Sequence, residues 1–401
     1  MKMIDIQSDN RQTEIQSTGI RAVELFCGIG GFRLACDSLG FETVWANDMN
    51  PLSCEVYREA FGTNEIVSGD IRTLHSEIPQ HELLTAGFPC QPFSSAGKKQ
   101  GVRDSRGTLF EEIVTVIKNR CPKWFVLENV KRLLSMEKGD HFATILQALS
   151  ELDYFVEWRL LNATAFGLPQ NRQRVVIAGT RVSSVQDARI SLASESDLRR
   201  VFQSDIDRLK DCQTWQPLDK HKKSFNTWGV CYKGRFFAED LNEFSDSVEF
   251  KYLDSILEKK PDEKFYMDES TVERIKESIH VDKLVNGVHV LYNQKGGARM
   301  GYSIFGTRGV APTLTASHSR HYERYQITDR YRRLTNVEYA RLQGFPDSHC
   351  SIATPFNQYG LFGNAVPPPL AKWAIQKTVM SEGIEIAAVS PRINTQMSLY
   401  I

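Results

Sequence analysis

The sequence lacks a Cys-x-x-Cys pair, and it lacks a histidine cluster at zinc-ligand spacing. Its eight cysteines (Cys27, Cys36, Cys54, Cys90, Cys121, Cys212, Cys231 and Cys350) are scattered, so neither a structural metal nor a disulfide framework is indicated. Long apolar runs are missing too, and nothing approaches membrane-spanning length. Residues 1–18 form a polar leader without the apolar core of a signal peptide. A soluble protein of a reducing cytoplasm is expected, with no membrane partner. Excess charge of either sign is absent as well. Lys and Arg total 49 against 49 Asp and Glu, for a formal net charge of zero. No global field advertises a nucleic-acid partner, and any such affinity must come from local basic patches.

What is present is a chain of 401 residues, long enough for a full α/β domain and a second, smaller one. Arg21–Phe26 reads as a strand and runs into Cys27-Gly28-Ile29-Gly30-Gly31. Three glycines so close let the backbone turn tightly and approach a ligand, and the amides of the helix that follows would face it. Alone, such a loop is as often only a tight turn. A second strand, Thr43–Ala46, ends in Asn47-Asp48 about 20 residues later. An acid at that position hydrogen-bonds ribose hydroxyls in nucleotide-binding sheets. Gly69-Asp70-Ile71 closes a third strand, where Asp70 also suits a helix N-cap.

The most informative stretch begins at Leu83. A short apolar run stops at Gly87 and enters Phe88-Pro89-Cys90-Gln91-Pro92-Phe93-Ser94, a loop bracketed by prolines that discourage helix. Chemistry in open α/β sheets collects beyond the carboxyl ends of strands. A thiol there, with Lys98 and Lys99 nearby to favour thiolate, is a candidate nucleophile. Trp124–Val130 is a second apolar strand carrying an acid, Glu128. Such a group is paired, exposed at the sheet tip, or shifted by desolvation. Two more strands, Tyr154–Leu161 and Val175–Gly179, flank Gln170-Asn171-Arg172-Gln173-Arg174. Alternate spacing puts Arg172 and Arg174 on one side, although an isolated Arg-x-Arg usually marks solvated surface.

From about residue 183 to 306 the chain turns polar and loses strand–helix alternation, with helix expected near Lys264–Leu284. Segments around Arg299 and around Arg320 to Arg324 mix cations with glycine or tyrosine, as loops near phosphates and base edges do. Thr335 and Glu338 have capping-box spacing for a helix that Gly344 would end. Asn364-Ala365-Val366 precedes a carboxy-terminal helix over Leu370–Met380, and residues beyond about Glu382 read as a tail.

The Gly-Phe-Pro-Cys-Gln-Pro-Phe-Ser loop resembles the catalytic loop of the C5-cytosine-specific DNA methyltransferases of restriction-modification systems. The other motifs follow in that family's order from Val23 to Pro369. The resemblance implies a doubly wound α/β sheet binding S-adenosylmethionine, with a smaller DNA-recognition domain. It places the catalytic and cofactor domain at 19–182, the recognition domain and hinge at 183–347, and the return to the catalytic domain at 348–401.

The resemblance also implies roles. Cys90 would attack cytosine C6, Glu128 would hold the N3 and N4 edge, and Arg174 would donate to O2 with Arg172 in support. Phe26, Gly28, Gly30, Gly31, Asp48, Asp70, Ile71, Phe88, Pro89, Asn364 and Val366 would line the cofactor site. Met49 stands where many members carry an aromatic that stacks on adenine. Gln91 and Ser94, with Arg299, Arg320 and Arg324, would touch DNA, and residues 101–110 resemble the loop that closes over it. The implied partner is double-stranded DNA, alongside a cognate restriction endonuclease, and the enzyme is expected to be a nucleoid-associated monomer. Transfer RNA cytosine methylation is a rival, disfavoured by the long recognition segment. A non-catalytic DNA-binding protein is another, disfavoured by the intact Cys90, Glu128, Arg174 and Asp48.

Overall fold

A computed structural model describes residues 17–89, 109–201, 209, 211–241, 244, 246–293, 302–314 and 322–385. Seven strands build the frame: β1 (Arg21–Leu25), β2 (Glu42–Asp48), β3 (Ile66–Ser68), β4 (Leu83–Gly87), β5 (Trp124–Val130), β6 (Tyr154–Asn162) and β7 (Gln173–Arg181). They run β3-β2-β1-β4-β5-β7-β6 across one sheet. The first five are parallel, whereas β7 is antiparallel to both β5 and β6.

Successive strand residues point to opposite faces, and here both faces are buried. Val23, Leu25, Leu84, Ala86, Phe125 and Leu127 pack with the helices Leu109–Arg120 and Asp140–Ser150. Ala22, Leu83, Val126, Val176 and Ala178 face the helix Gly31–Ser38 and a carboxy-terminal helix over Pro368–Ile375. This is the expected doubly wound α/β arrangement. No helix among the described residues is long and apolar enough to cross a membrane.

The sheet extends further than the sequence suggested. Beyond the short strand β8 (Arg189–Ile190), it continues through β9 (Gln216–Pro217), β10 (Trp228–Tyr232) and β11 (Arg235–Glu239). In space β10 joins the edge at β6, followed by β11 and β9. The boundary drawn at residue 183 therefore falls before three strands of the large sheet. The signal was masked because the β10–β11 turn is Lys233-Gly234, with φ of 46° and 73°. Asn-Gly or Asp-Gly is the familiar sign of such a turn.

A separate five-stranded sheet is formed by β12 (Ile279–Val285), β13 (Val288–Asn293), β14 (Ser303–Phe305), β15 (Arg324–Ile327) and β16 (Arg330–Arg332). The helix expected across Lys264–Leu284 is therefore wrong in its second half. Helix covers only Glu269–Lys276, and β12 then pairs with β13 through Asn286-Gly287, whose φ values are 49° and 79°. That Asn-Gly turn between two Val-rich runs was the readable signal. The expected tail beyond about Glu382 is corrected at its first residues. Ile384–Glu385 pairs with β8, and 386–401 lie outside the described residues.

Return from the small sheet is fixed by a buried ion pair. Arg332 donates from both terminal nitrogens to Glu338, each bond 2.7 Å long. Glu338 also accepts from the Thr335 and Glu258 amides, so the buried carboxylate is well bonded. Thr335 caps the helix Asn336–Gln343 in the expected capping box, and Gly344 ends it at φ 81°.

One buried acid carries a pH signature. Glu24 of β1 is 2% exposed and accepts from the Tyr57 hydroxyl at 3.3 Å. Burial pushes its carboxyl up to about 8 against the opposing pull of that hydrogen bond. Because folding raises this pKa, its stabilisation is complete below the unfolded-chain value of about 4.3 and is lost as pH rises to about 8. Glu24→Gln should therefore gain on wild type, by up to about 1.4 kcal/mol per pH unit, across that window. Denaturant unfolding of both proteins at several pH values checks this, and parallel stability curves would contradict it.

Candidate active site

The glycine loop after β1 is a left-handed turn. Phe26, Gly28 and Gly30 have φ of 53°, 54° and 83°. Only the glycines adopt this region without strain, so Phe26 is held there by its surroundings. Two bonds fix the turn to β2: Cys27 donates its amide to the Asn47 carbonyl at 2.9 Å, and Gly28 donates to Asp48 Oδ2 at 2.9 Å. Asp48 Oδ1 accepts from the Asn50 amide at 2.8 Å. Burial raises the Asp48 pKa while these backbone donors oppose the rise.

A cavity of about 170 Å³ opens beside this turn, lined by Phe26, Gly28, Asn50, Ser53, Asn364 and Val366 among others. Asn50 was not anticipated, yet Asn50-Pro51 is a helix-start signal: its side chain caps the helix Pro51–Phe61. Asn357, from the helix Pro355–Asn364, is another lining residue the sequence reading missed. It sits in no motif, and only the fold brings it here. Val366 closes the cavity from the carboxy-terminal segment. A Cβ built on Gly31 would lie 2.1 Å from the Val366 carbonyl oxygen, and one on Gly87 would lie 2.9 Å from Val366 Cγ2.

The other expected cofactor residues are less uniform. Met49 is 64% exposed. Asp70 is half-buried and caps a short helical turn. Its hydrogen bonds with the Arg72 side chain and amide hold its carboxyl below the usual range. The Ile71 side chain is buried in the core, which leaves its backbone as the part able to face a ligand. Phe88 is buried against Phe110, with ring centroids 5.6 Å apart.

Beside this cavity lies a charged pair. Gly87 of β4 is in register with Glu128 of β5. Glu128 Oε1 lies 2.7 Å from Arg174 Nε of β7, and each side chain is only 10% exposed. Asn129 donates its side-chain amide to the Phe88 carbonyl at 3.0 Å, which anchors the loop as it leaves β4. Arg172 has a different environment. It is 1% exposed and donates from one nitrogen to the Leu314 carbonyl, and from the other to those of Gly363 and Ala365. Burial, and then the Arg174 charge, pull its guanidinium down to about 9. Glu128 and Arg174 thus form one unit, whereas Arg172 ties together the Leu314, Gly363 and Ala365 carbonyls.

Cys90, Gln91, Ser94, Arg299 and Arg320 lie outside the described residues. Arg324 does not sit on a loop, as expected, but opens β15 in parallel register with Ile304. Its guanidinium carbon lies 5.7 Å from the Tyr322 ring centre.

Residues 20–380 match the family described as C-5 cytosine-specific DNA methylase. Among curated relatives, the type II methyltransferase M.HhaI of Haemophilus parahaemolyticus is 32% identical over 355 residues, covering 88% of this chain and 91% of that protein. The type II methyltransferase M1.ScrFI of Lactococcus lactis subsp. cremoris is 32% identical over 369 residues, covering 90% and 77%. The crystal structure of S. pombe Dnmt2 methyltransferase superposes with a TM-score of 0.59 at 19% identity, over 90% of this chain and 98% of that one. At that identity the likeness speaks for the fold.

The Gly31 contact yields a direct test of the cavity wall. Its neighbour is a backbone carbonyl, which cannot swing aside, so Gly31→Ala should cost about 1–3 kcal/mol of stability by overpacking. Thermal unfolding of the variant measures this, and an unchanged midpoint would show that Val366 does not close the cavity as described.

Proposed function

The chain belongs to the C-5 cytosine-specific DNA methylase family, and on that premise we propose that it methylates C5 of a flipped-out cytosine in a specific duplex site, with S-adenosylmethionine as donor. Its activity class, DNA cytosine methyltransferase, follows from the family and from type II relatives covered over most of their length. The observation that carries the finer reading is the Glu128–Arg174 pair. It stands beside the start of the Cys90 loop and next to the glycine-walled cavity.

The cavity fits the donor by its chemistry. Glycines admit close backbone approach, Asn50 and Asn364 offer polar partners, Phe26 offers an apolar ring, and Asp48 holds the Gly28 and Asn50 amides in place. When bound, S-adenosylmethionine supplies an electrophilic methyl group on a sulfonium centre. The remaining work falls to the protein. C5 of cytosine is a poor nucleophile and lies inside the stack, so the base must be flipped out at roughly a few kcal/mol. Cys90 thiolate then adds to C6, forming a C–S bond and pushing electron density through the ring to C5. Glu128 presents its carboxyl to N3 and N4, and Arg174 donates to O2, which stabilises the charge that develops. After methylation the C5 proton leaves to a base, for which water is suitable, and the C–S bond breaks to restore the ring.

The stretch from about 279 to 332, which holds the small sheet together with Arg299, Arg320 and Arg324, is the proposed reader of the duplex. Methylation there would protect the site from a cognate endonuclease. Incubation with labelled S-adenosylmethionine and duplex DNA, followed by bisulfite mapping, tests the whole reading. Cys90→Ser should abolish transfer while cofactor binding survives. Near-normal turnover by that variant would refute the mechanism.

A further inference from the structure

A seam of hydrogen bonds joins residues 169–172, just before β7, to residues 311–314. Ala311 donates its amide to the Pro169 carbonyl, Asn171 donates to the Ala311 carbonyl, and both bonds are 2.8 Å. The Thr313 hydroxyl donates to the Asn171 carbonyl at 2.6 Å. Leu314 is held through both of its backbone polar groups. Its amide donates to Gln170 Oε1 at 3.0 Å, and its carbonyl accepts from Arg172 at 3.2 Å.

Gln170 is the centre of this seam and is fully buried. Its amide nitrogen donates to the Leu342 carbonyl and to Gln343 Oε1, both at 3.1 Å. Gln343 in turn donates to the Phe362 carbonyl. Every polar atom of the Gln170 side chain therefore has a partner, and the partners come from different parts of the chain. One is Leu314, at the mouth of the segment that leads to Arg320. Others are the helix after the small sheet and, through Gln343, the segment that ends at Val366 in the cavity wall. A side chain satisfied in this way has few alternative positions, so a displacement at Leu314 is transmitted rather than absorbed.

We propose that Gln170 is a positioning residue that couples occupancy of the DNA-reading segment to the cofactor cavity. This rests on the function proposed above. If duplex binding shifts or rigidifies Leu314, Gln170 and Arg172 carry that change to Gly363 and Ala365, next to Val366 in the cavity wall. Affinity for cofactor and affinity for DNA are then linked, each raising the other by the same factor.

The experiment measures S-adenosylhomocysteine affinity by calorimetry on the full chain, with and without a duplex containing the mapped target. Wild type should bind it about tenfold more tightly with the duplex present, within the usual range of such couplings. Gln170→Met should reduce that ratio to about twofold or less while leaving affinity without DNA nearly unchanged. Gln343→Met cuts the branch from Gln170 to Phe362 but leaves Gln170 bonded to Leu314, so it should lower the ratio as well, by less than Gln170→Met does. Should Gln170→Met fail to fold, Gln170→Asn keeps an amide but withdraws it by one methylene, and the same ratio is read. A Gln170 variant with the wild-type ratio, equal loss in both positions, or an active wild type without coupling would overturn the proposal. A wild type that methylates no duplex would instead refute the proposed function.

Discussion

Glu128 and Arg174 set the condition that the rest of the site must meet: opposite charges 2.7 Å apart and largely removed from water. Such a pair loses hydration on both sides and is tolerable only if its geometry is fixed and its partners stay in place. Adjacent strands fix it. Because β7 runs antiparallel to β5, Arg174 at the start of β7 sits opposite Val130 at the end of β5. The beginning of one strand is thus brought to the rim where β1, β4 and β5 all terminate. In an all-parallel sheet Arg174 would lie at the far end, away from the Gly87 turn and the cavity beside Phe26.

That rim explains the division of labour between two arginines of similar sequence setting. Arg174 keeps a carboxylate partner at the edge of the site, whereas Arg172 is enclosed by three carbonyls. A guanidinium presents its donors in a fixed fork, so Arg172 also fixes the relative places of Leu314, Gly363 and Ala365. The cavity wall that ends at Val366 and the segment at Leu314 therefore share one support.

Much of this was legible in the sequence, for physical reasons. Strands buried on both faces read as continuous apolar runs, so β1, β4 and β5 and the residues at their tips could be placed directly. The capping box at Thr335 and the glycine stop at Gly344 are local signals, and both appear in the fold. What stayed hidden depends on distant partners. Asn357 and Gln170 acquire roles only when the carboxy-terminal segment returns to the first domain. Strands β10 and β11 were obscured by the polar stretches around them and by a Lys-Gly turn. The β12–β13 hairpin is announced by Asn286-Gly287, against the helical spacing of the residues upstream. The strand position of Arg324 likewise depends on pairing with Ile304, a partner 20 residues away.

The central claim is that a thiol at position 90 adds to the base held by Glu128 and Arg174. The most direct test uses a duplex with 5-fluorocytosine at the mapped target. Fluorine at C5 cannot leave as a proton does, so the ring cannot be restored after methylation and the C–S bond persists. Incubation with S-adenosylmethionine should give a protein–DNA adduct that survives denaturing electrophoresis and maps to Cys90 by mass spectrometry. An adduct at another residue, or none from a preparation that methylates the ordinary duplex, would contradict the account.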